Sequence, residues 1–215
     1  MRNVSATDAH IAASVARSVM VEQFSTSSAR HRYSSPIATF DHSSPIRTQR
    51  LELVALRVAD ADEMVTVLAD PALHEFTGGQ PASLDELRGR YTSWAGGSGS
   101  VDELWLNWIV RRDIDNAAVG AVQATVGDPH GEPIVEVAWT IGTAWQRQGF
   151  ATEAAVALVQ WLFDNGAESV VAHVHPNHIA SARVAAAAGL RPTDNVVDGE
   201  VEWRLDRVSR SDQSV

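Results

Sequence analysis

The chain is predicted to fold in the α+β class, as a twisted mixed β-sheet flanked by helices. Three observations lead there. Three strand-like runs follow one another at 104–112, 117–126 and 133–142. Two segments with helical spacing precede them. After them the pattern alternates helix, strand, helix, strand. Elements of both kinds in this order suit a single sheet with helices packed against it.

Residues 1–47 are rich in Ser, Ala and Thr and keep no sustained period, apart from a weak helical pattern over Ala9–Val21. They read as a flexible N-terminal extension, too polar to build a core. Order is expected from near Gln49, giving one domain over 48–208 and a short tail over 209–215. Leu51, Leu53 and Ala55 alternate with Glu52 and Val54, which predicts a first strand. Asp60 stands three residues before Glu63, a capping-box spacing that should open a helix carrying Met64, Val67 and Leu68, with Pro71 as its stop. Ser83 and Glu86 repeat the signal before Leu84, Leu87, Tyr91 and Trp94. GGSGS at 96–100 is a connector. The three strand runs, turned by DIDN and DPHGEP, predict an antiparallel meander. Ala151, Ala154, Ala155, Leu158, Val159 and Leu162 line one helical face that ends at Gly166. SVVAHVH is a strand, SARVAAAA a helix closed by Gly189, and VEWRLD the closing strand.

Composition narrows the function. Of 215 residues, 45% are hydrophobic and 20% charged, as in water-soluble globular domains. The chain has no cysteine, which excludes a disulfide framework, a thiolate metal site and a cysteine nucleophile. No apolar run is long enough to span a membrane and no export signal is visible, so a cytoplasmic location is expected. All 17 basic residues are arginine. Residues 49–208 carry eleven of them against 23 acids, a balance of −12. Such a surface repels nucleic acid and anionic membranes and attracts cationic amines.

The stretch WTIGTAWQRQGFATE, Trp139 to Glu153, carries the chemistry. A strand enters a short loop and the loop opens a helix. Unpaired backbone N–H groups and a partial positive charge gather at such a helix start. Gly149 lets a ligand approach the backbone, and Gln146 to Thr152 would supply donors without any lysine. Arg147 adds a cation at the mouth.

Here the chain resembles the GNAT superfamily of acyl-CoA N-acyltransferases. Gln146-Arg147-Gln148-Gly149-Phe150-Ala151 fits the superfamily's Q/R-x-x-G-x-G/A motif. EVAWTIG and TQRLELVALRVADAD are similar to the corresponding strand and opening segment of the subgroup containing ribosomal-protein N-terminal acetyltransferases. The resemblance covers about residues 48–206 and implies a GNAT fold with a CoA cleft between splayed central strands. It implies acetyl-CoA, or another acyl-CoA, as co-substrate, with no metal. It further implies that Gln146, Arg147, Gln148, Gly149, Phe150, Ala151 and Thr152 hold the pyrophosphate. Trp139, Thr140 and Ile141 would line the pantetheine arm. In the family's N-x-x-S-x-R-V segment this chain has His178, Ser181, Arg183 and Val184, with Asn177 one place early, so Asn177, His178 and Ser181 are the expected further contacts. The position that often holds an acid-acting tyrosine is Ala185; the tyrosines are Tyr33 and Tyr91.

Glu136 shares a strand face with Ala138 and Thr140, and a mid-strand carboxylate among apolar neighbours needs a reason. It can take a proton from the attacking amine, or pair across the sheet with Arg111 or Arg112. The resemblance favours the catalytic role. His74, Glu75 and Phe76 fall where the family's acceptor site is roofed. His173, His175 and His178 form H-x-H-x-x-H, a metal-like spacing whose simpler reading is histidines lining the cleft. The expected activity is direct transfer of an acyl group to a primary amine. A cationic acceptor is expected, such as an aminoglycoside, a polyamine or a peptide N-terminus. The alternatives are a CoA-binding sensor or scaffold without catalysis, and a metal-binding or interaction protein.

Overall fold

The computed structural model describes residues 40–100, 103–127 and 134–207. The helix expected over Ala9–Val21, most of the N-terminal extension, the DPHGEP turn and the 209–215 tail lie outside the described residues. Eight strands form one sheet: β1 (Ile46–Arg47), β2 (Leu51–Ala55), β3 (Glu103–Arg112), β4 (Ala118–Gly127), β5 (Ile134–Ile141), β6 (Ser169–Val174), β7 (Arg191–Val197) and β8 (Glu200–Asp206). Their order across the sheet is β1-β2-β3-β4-β5-β6-β8-β7. The helices are α1 (Ala61–Val67), α2 (Leu84–Ala95), α3 (Phe150–Asp164) and α4 (Ile179–Ala187). Every strand pair is antiparallel except β5–β6, which is parallel.

Strand alternation sorts the side chains between two cores. Leu53, Trp108, Val122 and Val137 face α3 and α4, whose Leu158, Leu162 and Ala185 complete the larger core. Ile109 and Ala118 face α1 and α2, where Met64, Leu87 and Tyr91 fill the smaller one. Helices therefore cover both faces.

The Ser83 signal is met in full: Ser83 Oγ accepts from the Glu86 amide, and the Glu86 carboxylate accepts from the Ser83 amide. The Asp60 signal marks the right place for a different reason. Asp60 has helical dihedrals and makes no side-chain cap. Its carboxylate instead takes the Arg57 amide and the Arg111 guanidinium, while Glu63 takes the Ala118 amide and Arg111. α1 ends at Val67, before Pro71, and Pro71 opens a 3-10 turn to His74. Packing also begins before the expected Gln49. Ile46 pairs with Leu53, and Phe40 is buried against Trp161.

β7 was not expected. It pairs with β8 through the two-residue turn Asp198-Gly199, with φ of 54° and 84°. Asp-Gly with two left-handed residues is a strong hairpin signal, and here it stands in plain sequence.

Gly120 on β4 lies opposite Ile141. A Cβ there would collide with the Thr140 carbonyl oxygen and sit 2.9 Å from Ile141 Cα. Both obstacles are main chain, so the strands must part. Gly120→Ala should lower stability by about 1–3 kcal/mol, the usual cost of overpacking. A thermal melt monitored by circular dichroism checks this; an unchanged melting temperature contradicts it.

Candidate active site

The sheet opens at one seam. β5 and β6 pair only over Ile134–Glu136 with Ser169–Val171. From Val137 onward, β5 has no strand partner on its β6 side, while Gly120–Ala124 continue to pair its other edge. Right-handed twist drives the two strands apart once their ladder stops. The gap leads into a cavity of about 200 Å³. Its lining comes from both faces: Tyr91, Asn107 and Gln123 from the α1–α2 face, Trp139, Val174 and Ser181 from the α3–α4 face. The cavity therefore runs through the sheet, and two molecules can meet in it from opposite sides.

At the end of β5 a 3-10 turn, Thr143–Trp145, leads into the loop before α3. Gln146 Nε2 donates to the Ile141 carbonyl and folds the loop back on its own strand. Arg147 and Gly149 take left-handed dihedrals, φ 60° and 82°. Among the described residues, the amides of 147–152 donate to no acceptor. Glu153 is the first whose amide does, to the Gly149 carbonyl. This is the unsatisfied donor array that an anion requires. Arg147, Gln148 and Gly149 are exposed, and Phe150 is buried beneath them.

Arg50 braces the loop, which sequence reasoning missed. Its guanidinium donates to the Gln148 carbonyl and pairs with Glu153 at 2.6 Å, and it lies over the Phe150 ring. Glu153 also accepts from Thr48 Oγ1 and the Arg50 amide. Burial works against its charge, but these hydrogen bonds outweigh burial and hold its carboxyl below the ordinary glutamate value. Nothing in the local pattern of β2 announces this contact across about a hundred residues of chain.

Glu136 pairs neither with Arg111 nor with Arg112, correcting the structural alternative drawn from the sequence. Arg111 is held by Asp60 and Glu63, Arg112 by Asp115. Glu136 Oε1 instead stands 2.9 Å from His173 Nδ1. A carboxylate only accepts, so the hydrogen in this contact sits on Nδ1, and in the neutral imidazole Nε2 is then the acceptor nitrogen. His173 lines the cavity, whereas Glu136 stands behind it.

The roof segment reaches the cavity with two of its three expected residues. His74 and Phe76 line it; Glu75 does not. The Phe76 ring stacks on His178 at 4.3 Å and tilts against His175 at 5.3 Å. Burial, against the opposing charge of Glu75, holds the His178 imidazole below its ordinary value, and nearby His175 adds to the lowering while Glu200 works against it. The three histidines thus divide between Glu136 and Phe76. Trp139 Nε1 donates to Ser181 Oγ, bringing those two expected residues together. Thr140 also lines the cavity, and the Asn177 amide donates to His175 Nδ1 at an exposed position. Ile141 is buried, and Ala151 and Thr152 are half-buried in the first turn of α3. Ala185 is fully buried in the core, so no side chain there faces the cleft. Tyr91 lines the cavity from the other face, and burial, with the charge of Asp60, pushes its hydroxyl well above the ordinary tyrosine value.

Residues 50–191 match the family model described as an acetyltransferase (GNAT) domain. No curated protein matches the chain significantly. Among solved structures, a GNAT-family acetyltransferase from Bacillus anthracis is 18% identical with a TM-score of 0.62, covering 75% of this chain and 98% of that one. RimL, a ribosomal L7/L12 α-N-protein acetyltransferase in complex with CoA, is 16% identical, with a TM-score of 0.60 and coverages of 76% and 98%. AAC(6')-Ib in complex with paromomycin and acetyl-CoA is 19% identical, with a TM-score of 0.61 and coverages of 75% and 98%. At these identities the likeness is one of fold.

Proposed function

The chain belongs to the GNAT acetyltransferase family, and from that premise we propose that it moves an acetyl group from acetyl-CoA to a primary amine by direct attack in a ternary complex. The observation that carries this reading is the cavity through the sheet, with free backbone donors at the loop before α3. One side offers an anion cradle and an open strand edge, which suit a pyrophosphate and an amide-bearing arm. The other side leaves room for an acceptor.

On this reading the amides of residues 147–152 bind the pyrophosphate, and the open edge of Trp139, Thr140 and Ile141 pairs with the pantetheine amides. A backbone N–H of that edge polarises the thioester carbonyl. His173 Nε2 takes the proton released as the amine attacks, and Glu136 holds the imidazole in the tautomer that can do so. Direct attack fits the absence of cysteine, and Ser181 Oγ already accepts from Trp139. CoA leaves as a thiolate, whose pKa of about 8.5 makes a dedicated acid dispensable; this accommodates the buried Ala185.

The test is free-thiol release from acetyl-CoA across a panel of amines, with mass spectrometry of the acceptor. Amine-dependent thiol release with N-acetylated product is expected. Tight acetyl-CoA binding without product from any amine would mark a sensor instead. The acidic surface by itself favours a cationic amine as acceptor.

A further inference from the structure

The acceptor side of the cavity has a composition the surface charge does not foretell. Leu56, Val65, Leu68, Leu87 and Trp94 are among its apolar lining. Into this wall α2 inserts one cation, Arg90, beside Leu87, Tyr91 and Trp94 on the same helical face. Among the described residues, Arg90 makes no hydrogen bond and no ion pair. Glu86, one turn back, feels its charge, but the Glu86 carboxylate is committed to the Ser83 cap. The other arginines without an ion pair among the described residues are Arg57, Arg147, Arg183 and Arg191, and all are exposed. Arg90 alone of this group is partly buried. A guanidinium among apolar side chains gains most from an oxyanion that it can bind through two donors.

The cavity floor supports the same conclusion. Asn107 and Gln123 are register partners on β3 and β4 and line the cavity. Neither side-chain amide makes a hydrogen bond among the described residues, although Asn107 is only 9% exposed. Side-chain amides set in a cavity wall without a protein partner are open to a ligand or solvent there. Glu75, the roof acid expected to attract a cation, is absent from the lining, where Glu200 is the one carboxylate among the described residues.

Resting on the acetyltransferase reading above, we propose that the acceptor is a small amine with an apolar body and a carboxylate, in the manner of a free apolar α-amino acid. Arg90 reads the carboxylate. The leucines and Trp94 hold the aliphatic or aromatic body. The amine turns toward Thr140 and His173 at the gap in the sheet.

The experiment compares L-phenylalanine with phenethylamine, which differs by the carboxylate, and with spermidine as a polycation. Wild type should prefer phenylalanine in kcat/KM. Arg90→Gln should cut the phenylalanine-to-phenethylamine preference by about 10–100-fold, the range of one charged hydrogen-bonded contact. Arg90→Glu should invert it, and Arg90→Lys should retain part of it. Arg88→Gln, which changes a surface pair with Asp62, should leave the preference alone. Equal or better turnover of phenethylamine or spermidine by wild type overturns the proposal, as does an unchanged preference in folded Arg90→Gln. A second arm needs no catalysis: calorimetric binding of 3-phenylpropionate in the presence of CoA, expected in wild type and lost in Arg90→Gln. If no amine is acetylated but this binding behaves as stated, the transfer reading fails and the carboxylate site stands. If 3-phenylpropionate does not bind wild type, the carboxylate site fails.

Discussion

Gly149→Val is expected to abolish detectable acetyl-CoA binding in a chain that still folds. Gly149 is the residue before α3 and sits at φ 82°, ψ 2°. A β-branched side chain at positive φ is strained on the order of 1–3 kcal/mol, so the loop shifts to escape it. The nearest atom to an added Cβ is Arg50 Nη2, at 3.3 Å, the far end of the side chain paired with Glu153, and a few tenths of an ångström would clear it. The damage is thus to backbone direction rather than to packing. That direction sets where the unpaired amides of 147–152 point. Each lost charged hydrogen bond removes roughly 1.5–3 kcal/mol. The side chain of Arg147 matters less, because it is exposed and screened. Arg147→Asn, which tolerates the same left-handed backbone at φ 60°, should weaken binding about tenfold or less, near 1.4 kcal/mol. Calorimetry gives the affinities and circular dichroism the fold. Wild-type affinity in folded Gly149→Val would remove the phosphate-loop assignment.

Glu136→Gln and His173→Ala should each lower kcat by about 10²–10⁴, the usual range for lost acid–base help. Acetyl-CoA affinity should barely change, because the proposed pyrophosphate cradle lies beyond the far end of β5. The pair acts as a unit through its 2.9 Å contact. The double variant should therefore be no worse than the weaker single, whereas independent roles would multiply. A purely structural pair would move stability in both single variants and leave kcat unchanged. Normal turnover in folded Glu136→Gln would return the carboxylate to a structural role.

What was legible in the sequence was local. The caps at Ser83, the glycine before α3 and the strand alternation of β3 to β5 each involve residues within a few positions, and each stands where expected. What was missed depends on register between distant segments. Arg111 was a reasonable partner for Glu136 until the sheet placed Arg111 opposite Glu52 on β2, within reach of Asp60 and Glu63. His173 became the partner because β5 and β6 run parallel side by side, which no spacing within either strand reveals. Arg90 drew no expectation from the sequence, since nothing in α2 shows that β3, β4 and the roof close a cavity beside it. β7 is a different case: its Asp-Gly turn was readable, but the alternation of Arg191–Val197 is broken by Pro192 and polar residues.

The short seam between β5 and β6 ties heat resistance to occupancy. The sheet is two cohesive blocks, β1–β5 and β6–β8, joined side by side over three residue pairs and by α3. A molecule lodged in the gap touches both blocks and takes the place of the missing ladder. By mass action, a ligand at a hundred times its dissociation constant adds about 2.7 kcal/mol to the folded state. Melting points recorded with acetyl-CoA therefore report binding as well as packing. A loop variant that has lost only its ligand will melt early in that buffer and normally without it.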